Sequence, residues 1–169
     1  MAKEIKPIGS TDISAMGAVV ENLMTDLRQI IDEARIHVAS TANYELTMMY
    51  WHIGERINRD VLGNERATYG KQIVPQVATQ LQALYGSKGF EIRNVRRMMQ
   101  FAQQIKEEKI VSQLATKLSW SHFIEVLSLK DELQKEFYLT LAANELWGRN
   151  RLRKEIDGML YERTALSSK

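Results

Sequence analysis

Between Ile92 and Lys106 the chain carries Arg93, Arg96, Arg97, Gln100, Gln103 and Gln104 without a single acidic residue. On a helix of about 3.6 residues per turn these side chains share one face. Solvated helix faces usually mix signs, whereas this one offers only guanidinium and amide groups. Arg forks onto the major-groove edge of guanine, Gln onto that of adenine, and both hold phosphate oxygens. The set is therefore that of a duplex reader, with Lys88 just before the segment and Asn94 near its start as candidate backbone contacts. The plainer reading is a solubilising face, or arginines paired with acids elsewhere. A second basic cluster, Arg149, Arg151, Arg153 and Lys154, follows Trp147-Gly148. Glu145, Glu155 and Asp157 stand four residues from Arg149, Arg151 and Arg153, so surface ion pairs explain this cluster at least as well as auxiliary phosphate contacts do.

Other chemistry finds little support. The chain has no cysteine, which removes disulfides, thiolate zinc sites, iron–sulfur ligation and cysteine nucleophiles. His37, His52 and His122 lack the close pairing of a zinc site. Glu107-Glu108-Lys109 contains a Glu-x-Lys spacing that reads as a solvated charge run. No Ser/His/Asp arrangement, Walker loop or GxGxxG is present, so no catalytic residue, metal or cofactor is expected. Tyr50-Trp51-His52, Trp120-Ser121-His122-Phe123 and Phe137-Tyr138 offer base-stacking surfaces, but aromatics at helical spacing more commonly fill a core. Lys and Arg exceed Asp and Glu by only 23 to 21, so an argument for nucleic acid rests on distribution and not on net charge.

The elements that would position these residues are helical throughout. With 44% hydrophobic residues, nine Gly and two Pro, the composition is that of an all-α globular protein. Residues 1–20 read as a flexible leader and 21–169 as a single domain. From Leu23 apolar residues recur every three or four positions through Leu27, Ile30, Ala34, Val38, Ala42, Leu46, Met49, Ile53, Ile57 and Val61, which predicts one helix up to a turn at Gly63-Asn64. Straight, it would measure roughly 60 Å at about 1.5 Å per residue. A compact domain of this length has a radius of gyration of only about 15 Å. The helix must bend, near Ser40 to Asn43, or project and find a partner.

A second helix is predicted over 71–85, with Ile73, Val77, Leu81 and Leu84 inward and Pro75 in its first turn. Gly86-Ser87-Lys88-Gly89 ends it, and a third helix over 91–105 buries Ile92, Val95, Met99 and Ala102, with Met98 and Ile105 widening the stripe. The segment 71–105 thus has the spacing of a helix-turn-helix unit. A polar connection over 107–119 leads to helices expected at 121–129, 131–144 and 149–162, packed by Trp120, Phe123, Phe137 and Trp147. The N-terminal stretch has no signal-peptide core and no segment is apolar enough to span a bilayer, so a cytoplasmic protein without a membrane partner is expected.

Four separated motifs carry a family resemblance. They are Tyr50-Trp51-His52-Ile53-Gly54 with Tyr69-Gly70-Lys71; the run from Gly89 to Phe101; Leu118-Ser119-Trp120-Ser121-His122-Phe123 with Glu136-Phe137-Tyr138; and Trp147-Gly148-Arg149-Asn150-Arg151-Leu152 with Leu160-Tyr161-Glu162-Arg163. Together, over about residues 23–163, they resemble the N-terminal domain of YhcG-type PD-(D/E)XK nucleases. Gly148 departs from the Ser of that pattern and removes an N-cap oxygen. In the family this domain precedes a nuclease domain that holds an Asp and a Glu-x-Lys around a metal on a sheet. This sequence has no convincing sheet, so those residues are not carried over. The resemblance implies a DNA-binding and oligomerisation module, a homodimer or higher oligomer, that delivers a nuclease joined in cis. The rivals are an assembly module without DNA contact and a stand-alone nuclease.

Overall fold

The computed structural model describes residues 10–62 and 67–167, all of whose regular elements are helices. They are α1 (Ser10–Leu62), α2 (Ala67–Tyr85), α3 (Ile92–Gln104), α4 (Glu108–Ala115), α5 (Trp120–Val126), α6 (Glu132–Asn144), α7 (Arg149–Asp157) and α8 (Leu160–Ser167). The expected Gly63-Asn64 turn and residues 1–9 of the expected leader lie outside the described residues. Residues 10–20, expected to be irregular, are instead the start of α1. Ile13, Met16, Val20 and Leu23 already keep the three-and-four spacing, so the helical pattern begins earlier than Leu23. Helix α1 also runs through Ser40 to Asn43. The chain forms two compact units, 1–39 and 40–169.

In the first unit every described side chain from Ile13 onward is exposed, apolar ones included. The second unit holds the core, and its α1 segment enters it on a face that differs from the apolar stripe. Leu46 and Met49 are exposed, while Thr47, Met48, Tyr50, Trp51 and Asn58 are buried. The reason is close backbone approach: a Cβ on Gly54 would overlap the Met98 carbonyl of α3. Polar side chains then satisfy carbonyls across the contact. Trp51 Nε1 donates to Ile105 O (2.7 Å) and Asn58 Nδ2 to Met99 O (2.8 Å).

Helix α2 begins four residues before its expected start, which places Pro75 inside it and not in its first turn. Its inward face is Val74 and Ala78, one position off the expected Ile73 and Val77, and Leu84 is 74% exposed. Val74 and Ala78 meet Val95 of α3 in a small cluster shared with Ile57 and Val61. Helix α3 buries Val95, Met98, Phe101 and Ala102. The larger core adds Val111 and Ala115 from α4, Trp120 and Phe123 from α5, Tyr138 and Leu139 from α6, and Leu152 from α7. The region expected as a polar connection thus contributes a helix.

The C-terminal helices are fixed by local chemistry. His122 reaches back so that Nδ1 accepts from Ser119 N–H (3.1 Å) at the start of α5, while Nε2 lies 2.7 Å from Trp147 O. With Nδ1 accepting, Nε2 carries the proton and donates to that carbonyl. Asp131 caps α6 by accepting from Leu133 N–H (3.0 Å). The single helix expected over 149–162 is two, because Met159 adopts φ 54° after Gly158 and ends α7. Tyr138, wholly buried, ties the two together: its hydroxyl donates to Glu155 O and accepts from Tyr161 N–H.

Candidate nucleic-acid interface

The face of α3 opposite its buried residues carries Arg93 and Arg96, both exposed, and Arg97, half-buried. No carboxylate of the described residues forms an ion pair with any of the three. Arg96 joins Lys71 of α2 and the amides of Gln100 and Gln103 along an open groove of about 340 Å³, floored by Val61, Val74 and Met99. Sequence reasoning did not single out Lys71 as a contact. Its place in the Tyr69-Gly70-Lys71 motif was the available signal, but only the packing of α2 on α3 turns it toward Arg96.

Gln100 and Gln104, expected as base readers, have an intramolecular role. Both amide groups donate to the Leu127 carbonyl, at 2.9 and 3.1 Å. Leu127 is the C-cap of α5, where carbonyls lack intrahelical partners, so the two glutamines tie α3 to that helix end. Asn94 is similarly engaged: Nδ2 donates to Gly89 O (2.6 Å) and Oδ1 accepts from Trp120 Nε1 (3.0 Å). Lys88 stands exposed in the turn between α2 and α3, where Gly86 and Gly89 adopt φ 89° and 90°. Glu91, the N-cap of α3, accepts from Gly89 N–H (3.2 Å), so the start of this helix bears a negative charge. Burial, and then that carboxylate, push the Tyr50 hydroxyl up, against a smaller opposing effect of Asn94.

The second basic cluster is arranged differently. Glu125 of α5 receives Arg149 Nε (2.6 Å) and the Arg153 guanidinium (3.0 and 2.8 Å). Arg151 lies 3.3 Å from Glu155 and stacks over Trp147 at 5.2 Å from the ring centroid. Of the three ion pairs expected from spacing, Arg151–Glu155 is made, whereas Arg149 and Arg153 pair with Glu125, which sequence spacing did not indicate. Lys154 is exposed. The Arg153 hydrogen bonds, followed by those of Arg149, hold the Glu125 carboxyl below its ordinary range.

The aromatic groups fill the core: Phe101 meets Trp120 and Phe123, with centroids 5.2 and 4.8 Å apart, and Tyr50 meets Trp120 at 5.1 Å. Among the described residues no group of three or more His, Asp or Glu side chains is placed to hold a metal ion. Nor is any described helix long and apolar enough to cross a membrane.

The DUF1016 N-terminal domain matches residues 26–163, most of the chain and all of the packed unit up to α8. The chain belongs to the DUF1016 N-terminal domain family. It is similar to the Escherichia coli (strain K12) protein named "Putative nuclease YhcG", at 27% identity over 168 aligned residues. That alignment covers 82% of this chain and 44% of the relative, so this DUF1016 domain spans under half of the relative's length. No solved structure matches it.

Proposed function

We propose that this DUF1016 N-terminal domain binds DNA through α3 and self-associates, and that in longer relatives it brings a nuclease domain to the DNA. The observation that carries the reading is the contrast between two arginine clusters in one fold. Those of α7 are matched to Glu125 and Glu155, whereas no carboxylate of the described residues pairs with the exposed Arg93 and Arg96 or the half-buried Arg97, and Lys71 lines the groove beside Arg96. Leaving three guanidinium groups on one face without local acids favours an external polyanion. Because Gln100, Gln104 and Asn94 are engaged internally, phosphate contact is the main work of the face, and base reading falls to Arg93, Arg96 and Arg97. The α7 cluster is assigned to holding α5 and α7 together, with Lys154 as an auxiliary phosphate contact. The nuclease name of the relative supports a nucleic-acid partner; phosphodiester cleavage is assigned to the remainder of such longer proteins and not to this segment.

The test is binding of the purified chain to labelled duplex across a salt series, beside Arg93→Ala/Arg96→Ala/Arg97→Ala. Each lost phosphate contact should reduce the slope of log affinity against log salt by about 0.9. Salt-dependent binding that falls in the variant at unchanged helicity supports the reading. Equal binding by both proteins removes α3 from it, and no binding at low salt leaves an assembly module. Metal-dependent plasmid cleavage by the chain would overturn the assignment of cleavage elsewhere.

A further inference from the structure

We propose that the groove where α2 and α3 meet the end of α1 is a subsite for one unpaired nucleotide, so that the preferred target is DNA with a single-stranded stretch beside a duplex. This deepens the DNA-binding reading above and rests on it. The groove measures about 340 Å³, with Val61, Val74 and Met99 as its apolar lining and Lys71 and Arg96 as its cations. That is the small end of the range for ligand pockets, roughly 300–1,000 Å³, so a single nucleotide can enter where a duplex cannot. Val61 and Met99 remain partly exposed there beside the buried Val74. Phosphate contact to a duplex makes no use of such a surface, because paired bases bury their faces against one another in the stack. An unpaired nucleotide supplies both complements at once, a base face for the apolar lining and a phosphate for the cations.

The polar groups at the groove identify the occupant. No carboxylate of the described residues pairs with Lys71 or Arg96, so their charge is left to an anion from outside. An acidic protein segment would meet these two cations as well. Arg93, however, continues the cationic face three residues back on α3, about 4.5 Å along the helix axis, which suits a strand whose charges repeat. The two amides at the groove present acceptors. Gln100 Nε2 donates to Leu127 O (2.9 Å) and Gln103 Nε2 to Asn58 Oδ1 (3.3 Å), with Asn58 itself fixed by its bond to Met99 O. Neither Oε1 receives a hydrogen bond from the described residues. Each can accept from N–H groups on the Watson–Crick edge of a base, which pairing occupies in a duplex and leaves open in an unpaired nucleotide.

The test compares binding of the 169-residue chain to labelled DNAs matched in phosphate count: a blunt duplex, a duplex with a short single-stranded tail, and the same tailed duplex with abasic sites throughout the tail. Charge alone favours the blunt duplex, because a single strand releases fewer counterions per phosphate. The wild-type chain should instead bind the natural tail about fivefold tighter than the blunt duplex, the low end of what a stacked base contributes, since this lining is aliphatic. The abasic tail should lose that preference. Val61→Gln, a neutral polar replacement at a partly exposed position, should bind the blunt duplex as the wild type does and lose the preference for the tail. The abasic comparison uses the wild-type chain and so decides even where that variant unfolds. Equal binding of blunt and tailed duplexes, both weakened by Arg93→Ala/Arg96→Ala/Arg97→Ala, would overturn the proposal and leave DNA binding by α3 standing. An abasic tail bound as well as the natural one would mean that the groove meets phosphate alone, and would overturn it too. No binding to any of these DNAs at low salt would overturn both readings and pass the groove to an acidic protein segment.

Discussion

Gly54 sets how closely two helices approach, and it is the residue whose replacement has the clearest consequence. Alanine at this position puts a methyl group where the Met98 carbonyl sits, so either α1 or α3 must move. Overpacking of this sort costs about 1–3 kcal/mol, and backbone on the receiving side leaves no side chain to yield. Gly54→Ala should lower the urea midpoint of unfolding by at least the equivalent of that range, and an unchanged midpoint would mean the two helices are not in this contact. Glu125 gives a prediction in pH. Its carboxyl is held below its ordinary value of 4.5, first by the Arg153 hydrogen bonds, so its contribution is present above that value and lost as pH falls through the lower folded value. Glu125→Gln lacks this term. Its unfolding free energy should therefore fall less than that of the wild type as acid is added below pH 4.5, with the gap between the proteins closing; parallel acid profiles would show that the pair contributes nothing.

Helices as elements were legible in the sequence, and their inward faces were less so. The spacing of apolar residues finds α3 and α6 almost to the residue, yet it assigns Ile73 and Val77 inward where Val74 and Ala78 are buried. Either register satisfies a helical period; the choice is made by what α2 packs against, which periodicity does not encode. Likewise Trp51 and Asn58 enter the core because carbonyls at Ile105 and Met99 receive them, information held by the partner helix and not by α1. Helix α4 escaped because its eight residues make barely two turns, so Ile110, Val111, Leu114 and Ala115 are too few to set their spacing apart from the charged residues before them. At the candidate site, the arginine face is legible as a charge pattern. The inward engagement of Gln100 and Gln104 is not, since it depends on the end of α5 arriving beside them. Removing both amides as Gln100→Ala/Gln104→Ala should cost about 1 kcal/mol per hydrogen bond lost. Duplex affinity in that variant should change less than in the triple arginine variant. The reverse order of effects in a binding titration would restore the glutamines as base readers.

At the scale of the whole molecule, the two proposed properties make a joint prediction that neither makes alone. If copies self-associate as proposed, one particle presents two α3 faces, and the second face binds from an effective concentration instead of from bulk solution. That gain requires DNA long enough to meet both faces. On a long duplex, a variant that sedimentation shows to be monomeric should bind more weakly by a factor of ten or more, at the low side of the roughly 10²-fold and greater gains that linked sites can give. The salt slope should fall toward half, since half of the phosphate contacts are lost from each binding event. On a duplex too short for two faces, wild type and variant should bind alike, because a single α3 is all that either can use. Equal losses on short and long DNA would mean that the substitution acts on DNA contact itself. An unchanged slope on long DNA, in a variant shown to be monomeric, would mean that one face carries the whole interaction and that pairing serves another purpose.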